Sequence, residues 1–162
     1  MIVVADTGPL NYLIRTGYIS LLPELFGRVL DPKAVITELL HPQAPPEIRA
    51  VADALPDWLE RVEVRHIAAG LPAALGEGER EAISLALELH ADALLIDDLA
   101  GRRSAESLHI PARGTLAILL QASLRGRLHF PTAFQQLTQL GFRVTPALQD
   151  ALFAEYNKGQ LG

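Results

Sequence analysis

The chain has 162 residues and a formal net charge of −5, and its length suits one well-buried domain better than two. It contains no cysteine, which excludes disulfides, thiolate catalysis and cysteine-ligated zinc or iron–sulfur sites. The negative charge provides no global basic field for nucleic acid, which counts against a pure nucleic-acid-binding module. It counts less against a nuclease whose site gains positive charge from a metal.

Strand-like and helix-like segments alternate along the chain. The predicted strands span residues 2–5, 28–31, 61–67 and 93–97. The predicted helices span residues 8–15, 18–26, 32–40, 46–55, 100–108, 115–125, 131–140 and 146–157. Between the third and fourth strands, a loop over 70–79 leads into a further helix that ends at about residue 90. The first and last strands are continuous apolar runs, typical of strands covered on both faces. The alternation in 61–67 favours an edge or half-exposed strand.

This order of elements predicts an α/β fold. We expect a single domain over residues 1–162 with a central, mostly parallel sheet of about four to five strands flanked by helices. No apolar run approaches the roughly 18 residues that a membrane span needs. Asp6 interrupts the apolar amino terminus and no basic region precedes it, unlike a secretory signal peptide. The expected location is therefore the cytoplasm.

The two apolar strands both end on aspartate. In parallel sheets, ligands gather beyond the carboxyl ends of the strands, near the point where the strand order reverses. Asp6 follows the first strand, and either it or its neighbour Thr7 caps the next helix, or Asp6 is a ligand. Asp97 and Asp98 follow the second strand with side chains that point to opposite faces. One of the two fits a given site easily, and the other caps the next helix or supports the site.

Two glutamates come from helices. Glu79 shares the apolar face of its helix with Ala82, Ile83, Ala86 and Leu89. The opposite, solvated side is formed by Glu77, Glu81, Ser84 and Glu88. Glu79 is thus either a first-turn acid favoured by the helix dipole or a ligand. Glu38 lies at the border of the buried side of helix 32–40, and taken alone it is better explained as a boundary residue than as a ligand.

Four separate segments therefore contribute acids to a possible site, namely Asp6, Glu38, Glu79 and Asp98 or Asp97. Carboxylates crowded within a few ångströms repel one another and raise each other's pKa, and a divalent cation removes that penalty. Magnesium or manganese suits an oxygen-only site and supports hydrolysis of a phosphodiester without histidine or cysteine.

The order of these segments resembles the PIN domain family, metal-dependent ribonucleases that include VapC-type toxins. The chain is most similar to a bacterial and archaeal branch of predicted PIN-like nucleic-acid-binding proteins, and the resemblance covers nearly the whole chain. The matching segments are DTGPLNYL, DPKAVITELL, GEGEREAISLA, LLIDDLAGRRSAESLHI and RGTLAILLQASLRGRL. No catalytic role follows for the last of them.

The resemblance implies a Mg²⁺- or Mn²⁺-dependent endoribonuclease acting on RNA. Its metal-binding and catalytic residues would be Asp6, Glu38, Glu79 and Asp98, with Asp97 assisting the metal and Thr7 orienting a ligand or the phosphate. It also implies a toxin–antitoxin role with a small antitoxin protein, and a homodimer. Many relatives carry another acid just after the third aspartate, where this chain has Leu99, Ala100 and Gly101, and Asp97 is the candidate for that role.

Other interpretations remain open. Arg102 and Arg103 either contact phosphates or are solvated helix residues. A non-catalytic PIN-fold module that binds RNA or a protein partner is the main alternative, and the missing acid and the negative net charge favour it. A haloacid-type phosphatase would need a second aspartate where Gly8 stands. A phosphotransfer receiver would need a lysine after a late strand, which neither Lys33 nor Lys158 provides.

Overall fold

The computed structural model describes residues 1–161, and its framework is a five-stranded sheet in which every paired strand is parallel. The strands are β1 (Val3–Ala5), β2 (Val29–Pro32), β3 (Leu59–Val62), β4 (Ala93–Leu95) and β5 (Ala112–Arg113). Their order across the sheet is β3-β2-β1-β4-β5. The predicted α/β fold with a parallel sheet flanked by helices is therefore confirmed.

The helices follow the strands in the alternation that a parallel sheet requires. They are α1 (Thr7–Thr16), α2 (Leu21–Phe26), α3 (Lys33–Leu39), α4 (Pro46–Asp53), α5 (Glu77–Glu88), α6 (Leu99–Ser107), α7 (Thr115–Leu124), α8 (Phe130–Gln139) and α9 (Pro146–Leu161). Within residues 1–161, no helix combines the length and the apolar character that crossing a membrane would demand.

The strand order reverses between β1 and β4. From β1 the chain moves outward through β2 to β3 on one side, and it then returns to place β4 and β5 on the other side. The two strands on either side of the reversal pair in register, with Val3 opposite Ala93 and Ala5 opposite Leu95. Ligands of open parallel sheets bind beyond the carboxyl ends of such a strand pair.

The chain divides into two compact units. The first, Met1–Gly114, contains the whole sheet and the helices α1 to α6. Its core is built on the two central strands, where Val3, Val4, Leu94 and Leu95 are fully buried. Burying each such side chain contributes roughly 1.5–3 kcal/mol. These apolar runs therefore fix the edge of the sheet from which the acidic residues project.

The second unit begins at Thr115 and contains α7, α8 and α9. Its helices α8 and α9 share an aromatic cluster centred on Phe130, which is fully buried. The Phe130 ring lies 5.2 Å from the ring of Phe153 and 5.8 Å from that of Tyr156, measured between centroids. The prediction of one domain over residues 1–162 stays a prediction.

Two strands differ most from the sequence-based prediction, and β4 also ends at Leu95, two residues before the predicted end at residue 97. The predicted strand over 61–67 is wrong in its extent, because β3 spans Leu59–Val62 and residues 63–67 belong to no strand. The reason is pairing: β3 pairs only with β2, and the last pair joins Val62 to Pro32, where β2 ends. Strand β5 was not predicted, since two residues are too short to show a pattern.

The polar side of α5 is also less solvated than predicted. Ser84 is buried: its hydroxyl accepts a hydrogen bond from the Ala68 N–H (2.8 Å) and donates one to the Arg80 carbonyl (2.7 Å). Glu81 is half-buried and accepts a hydrogen bond from the Ala34 N–H, at the start of α3. Helix α5 packs against α3 as well as against the sheet, so it buries more than one face. The prediction that Glu81 and Ser84 lie on a solvated face is therefore wrong.

Candidate metal and nucleic-acid site

Asp6 follows β1 directly and Asp97 lies two residues after the end of β4, at the point where the strand order reverses. The Asp6 N–H donates a hydrogen bond to the Leu95 carbonyl (2.8 Å), which extends the pairing of β1 with β4 by one residue. The Asp97 carboxylate packs on Gly8 at the start of α1, where an added Cβ atom would lie 3.4 Å from Asp97 Oδ2. Both carboxylates therefore stand at the carboxyl edge of the sheet, as the sequence predicts.

Glu38 reaches the same edge from the last turn of α3. A carboxylate is disfavoured there by the helix dipole, so its position needs a compensating interaction. Two donors supply it: the Thr7 hydroxyl donates to Glu38 Oε2 (2.6 Å), and the Gly78 N–H donates to Oε1 (3.2 Å). Since Gly78 lies in the first turn of α5, the amino-terminal end of that helix supports the carboxylate. Thr7, predicted to orient a ligand or the phosphate, donates its hydroxyl to Glu38 in this structure.

Glu79 and Asp98 are each held by the start of a helix. Glu79 Oε2 accepts a hydrogen bond from the Gly76 N–H (3.2 Å), the residue that caps α5. Asp98 caps α6, because its Oδ2 atom accepts a hydrogen bond from the Gly101 N–H (2.8 Å). Of the two adjacent aspartates, Asp98 is thus the one that serves as a helix cap.

Asp6 is a strongly perturbed carboxyl of this group. It is only 5 % exposed, and its Oδ1 atom has no hydrogen-bond partner among residues 1–161. Burial, reinforced by repulsion from Glu79, Glu38 and Asp97, raises the pKa of Asp6 from 3.8 to about 7. A buried, unpartnered carboxylate oxygen is expensive, and it marks a position where a cation would be favourable.

Glu79 is perturbed in the same direction. Partial burial is the main cause that raises its pKa, and repulsion from Asp98 and Glu38 adds to the effect. Each predicted acid thus repels at least one other acid of the group, and this repulsion contributes to the raised pKa values of Asp6 and Glu79. The structure brings together the residues predicted from four separate segments: Asp6, Glu38, Glu79, Asp97 and Asp98.

The acids nevertheless do not form a ready coordination sphere. Across residues 1–161, no three acidic or histidine side chains stand close enough together to hold a metal ion. Three of the carboxylates instead accept hydrogen bonds from the protein, namely Glu38, Glu79 and Asp98. Mutual repulsion and these donors keep the oxygens apart, so binding a cation at this edge requires side-chain movement.

Asp31 is a further carboxyl beside this group that the sequence analysis missed. It lies on β2, it is fully buried, and neither of its carboxylate oxygens has a hydrogen-bond partner in the described chain. Burial raises its pKa well above the usual range, the backbone of Ala5 offsets part of this shift, and the nearby Asp6 adds to it. Asp31 ends the predicted strand over 28–31 just as Asp6 follows the predicted strand over 2–5, so the signal that identified Asp6 was present here as well.

Arg102 and Arg103 follow Asp98 on α6 and differ from each other. Arg103 is exposed, whereas Arg102 is half-buried and its Nε atom is fully buried. The Arg102 side chain forms no hydrogen bond or ion pair with any part of the chain that the structure describes. The Arg102 guanidinium nevertheless lies near a carboxylate of the group, since Arg102 Nη1 and Asp97 Oδ1 both lie close to Gly114.

The fold of this chain is also found in a solved structure. The chain is similar to a PilT N-terminus domain protein from the hyperthermophilic archaeon Sulfolobus solfataricus P2. The two share 16 % identity with a TM-score of 0.54, and the match covers 75 % of this chain and 93 % of the other. At that identity the likeness establishes the fold alone.

The family is established by a sequence profile. A profile described as a PIN domain matches residues 2–158, so the chain belongs to the PIN domain family. PIN domains are generally nucleases and generally use divalent metals. A search among curated proteins finds no significant match. The family resemblance predicted from the sequence is confirmed, and the activity of this chain is a separate question.

Proposed function

We propose that this chain is a metal-dependent endoribonuclease that hydrolyses phosphodiester bonds of RNA with Mg²⁺ or Mn²⁺. The observation that carries the proposal is Asp6, a buried carboxyl at the strand reversal with an unpartnered oxygen and a pKa raised to about 7. Membership of the PIN domain family supports it. An all-oxygen set of donors is what hard divalent cations prefer.

Asp6 would hold the metal together with Glu38 and Glu79, and with Asp97 or Asp98 from the end of β4. A bound divalent cation would supply a lowered pKa for a water molecule and charge neutralisation for the phosphodiester. Thr7 and Gly78 keep the Glu38 carboxylate in place through their hydrogen bonds. Asp98 caps α6 through the Gly101 N–H, and Asp97 acts electrostatically on Asp6.

A second candidate is a PIN-fold module that binds RNA or a protein partner without cutting. One observation favours it: Glu38, Glu79 and Asp98 already accept hydrogen bonds, and no ready metal site exists among residues 1–161. Titration with Mn²⁺ by calorimetry discriminates the two functions. Binding that disappears in Asp6→Asn supports the nuclease, and absence of binding supports the non-catalytic module.

The assignment of partners rests on the family alone. We propose a toxin–antitoxin role with a small antitoxin protein, a homodimer and a cytoplasmic location as working hypotheses. The PIN fold is consistent with RNA as the substrate class.

The proposed activity is tested by incubating a mixed pool of structured and single-stranded RNAs with Mn²⁺, Mg²⁺ or chelator. We expect cleavage only with metal, and we expect Asp6→Asn to lower its rate by about a hundredfold or more, because it removes a buried metal-binding carboxylate. Asp53→Asn is the matched control, since Asp53 is exposed on α4. Cleavage that survives in chelator or in Asp6→Asn would contradict the proposal.

Gly78 provides a second prediction, because it leaves room for the Glu38 carboxylate. A Cβ atom on Gly78 would lie 2.5 Å from Glu38 Oε1 and 2.9 Å from its Cδ, so Gly78→Ala must push the carboxylate away. The obstacle is the mobile end of a side chain and alanine favours helices, so the variant should fold normally. We expect its Mn²⁺ affinity, measured by calorimetry, to fall about tenfold.

Gly76→Ala is the control for this substitution. An added Cβ atom at Gly76 meets no described atom within 4 Å, and the N–H that bonds Glu79 is retained. Its Mn²⁺ affinity should stay within twofold of the wild-type value, a change of roughly 0.4 kcal/mol. Equal affinities for both alanine variants would mean that the position of Glu38 has no influence on the metal.

A further inference from the structure

The connecting segment, residues 63–76, joins β3 to α5 and contains no helix or strand. Leu75 is the only buried residue of this segment, all of which the structure describes. Apolar burial therefore contributes little to fixing the segment, and polar contacts have to hold it in place. Its last residue, Gly76, is the amino-terminal cap of α5, so the start of that helix depends on how the segment is held.

Polar contacts attach the connecting segment to the side of α5. The Ala68 N–H donates a hydrogen bond to the Ser84 hydroxyl (2.8 Å), and Arg80 Nη1 donates one to the Pro72 carbonyl (3.0 Å). Ser84 and Arg80 are four residues apart, so they lie on one side of the helix, one turn from each other. The contact of Arg80 is the nearer of the two to the candidate metal site, because Pro72 lies four residues before Gly76.

Arg80 holds the end of the connecting segment at two points. The Pro72 carbonyl that accepts from its guanidinium also accepts from the Leu75 N–H (3.2 Å), which closes a turn over residues 72–75. The backbone N–H of Arg80 donates to the Gly76 carbonyl (3.0 Å). A guanidinium is always charged, and hydrogen bonds from charged donors are stronger than those from neutral ones. The turn and the first residue after it are therefore both fixed to Arg80.

The residues that follow this turn support two of the candidate metal-binding acids. The Gly76 N–H donates to Glu79 Oε2 (3.2 Å), and the Gly78 N–H donates to Glu38 Oε1 (3.2 Å). Arg80 itself forms no ion pair with either glutamate in the part of the chain that the structure describes. Its influence on these carboxylates therefore passes through the backbone of residues 72–78.

We propose that Arg80 is a positioning residue for the candidate metal site. By fixing the turn over residues 72–75, its guanidinium holds the N–H groups of Gly76 and Gly78 where they bond the two glutamates. This inference rests on the proposed function, in which both glutamates bind the cation. The positive charge of Arg80 acts in the opposite direction, because it repels a nearby cation. Loss of the charge alone would strengthen metal binding, so weaker binding identifies the positioning role.

The first test uses the metal-free protein. Amide hydrogen exchange is measured by NMR in chelator for wild type and Arg80→Met, which keeps an aliphatic side chain but removes the donors. The N–H groups of Gly76 and Gly78 should exchange about tenfold faster in the variant, as expected for loss of one hydrogen bond from a charged donor. Ser84→Ala is the matched control, because it releases the segment one turn further along. It should accelerate exchange at Ala68 and leave the two glycines unchanged.

The second test is titration with Mn²⁺ by calorimetry. Arg80→Met should lower the affinity about tenfold, the lower end of the effects that follow the loss of groups orienting metal ligands. Arg80→Lys keeps the charge and a donor of similar reach, so its affinity should return to within about threefold of the wild-type value. Ser84→Ala should stay within about twofold. Circular dichroism identifies any variant that has failed to fold.

The outcomes separate this inference from the proposed function. Unchanged exchange at Gly76 and Gly78 in Arg80→Met, an equal effect of Ser84→Ala there, or acceleration spread evenly over the chain would each overturn the role of Arg80. Wild-type Mn²⁺ affinity in Arg80→Met would overturn it as well. A wild-type chain that binds no Mn²⁺ would overturn the proposed function instead, and local acceleration at the two glycines would still support their positioning by Arg80.

Discussion

Asp6→Asn should stabilise the metal-free protein at neutral and alkaline pH. The carboxyl of Asp6 has a pKa of about 7 in the folded chain, against 3.8 without perturbation. The unfolded chain therefore releases this proton at lower pH than the folded chain does. Stability falls as pH rises between these two values and is level above them, a loss of up to about 4 kcal/mol. An asparagine carries no such cost.

The measurement is urea unfolding in chelator from about pH 4 to pH 8. The wild-type free energy of unfolding should decline across this window, whereas the decline should be smaller in Asp6→Asn because the Asp6 carboxyl no longer contributes to it. Asp53→Asn, which changes an exposed carboxyl, should reproduce the wild-type curve. Parallel curves for wild type and Asp6→Asn would show that burial does not perturb Asp6.

Added Mn²⁺ gives the same experiment a second readout. A ligand that binds only the folded state stabilises it according to its concentration relative to the dissociation constant. Mn²⁺ should therefore raise the wild-type free energy of unfolding at about pH 8 and leave that of Asp6→Asn unchanged. The substitution would thus stabilise the free protein while it abolishes stabilisation by metal, an opposition that a purely structural Asp6 would not produce.

The fold was predictable from the sequence to the extent that buried strands are continuous and apolar. Strands β1 and β4 are such runs, and their position at the centre of the sheet follows from burial on both faces. The length of strand β3 does not follow from a local sequence pattern. Its length is set by where Pro32 ends the partner strand, a tertiary fact that the alternating pattern of residues 61–67 does not contain.

The candidate site was predictable because each acid breaks a local rule. Asp6 ends a buried strand, Glu79 falls on an apolar helix face, and the structure adds that Glu38 opposes a helix dipole. The sequence could not say which donors hold them. The hydrogen bonds from Thr7 and Gly78 to Glu38 join residues far apart in the chain, and only the packing of α3 on α5 brings them together.

The division of roles between Asp97 and Asp98 was beyond the sequence for a similar reason. Alternation along a strand predicts that the two side chains diverge, but β4 ends at Leu95 before either residue. Asp98 instead becomes the cap of α6 through the Gly101 N–H. Asp97 instead lies against Gly8 and repels Asp6. This proximity depends on the register of β1 with β4.

Asp31→Val should stabilise the protein by several kcal/mol at about pH 8. Asp31 is fully buried on β2 with no hydrogen-bond partner for either oxygen among residues 1–161, and valine is well suited to a buried strand. Because burial raises the pKa of Asp31, the folded chain binds this proton more tightly than the unfolded chain does. The cost of this carboxyl, and the gain from its removal, therefore grow as pH rises.

Asp31→Asn separates two contributions to that gain, the titration of the carboxyl and the burial of its polar atoms. It removes the titration but keeps buried polar atoms of the same size, so it should flatten the decline of stability with pH while giving a smaller gain than valine. Urea unfolding of both variants in chelator measures each part. A loss of stability in Asp31→Val would mean that this carboxyl is satisfied in solution and holds β2 in place. Gains in stability with unchanged Mn²⁺ affinity would instead separate Asp31 from the acids that take the metal.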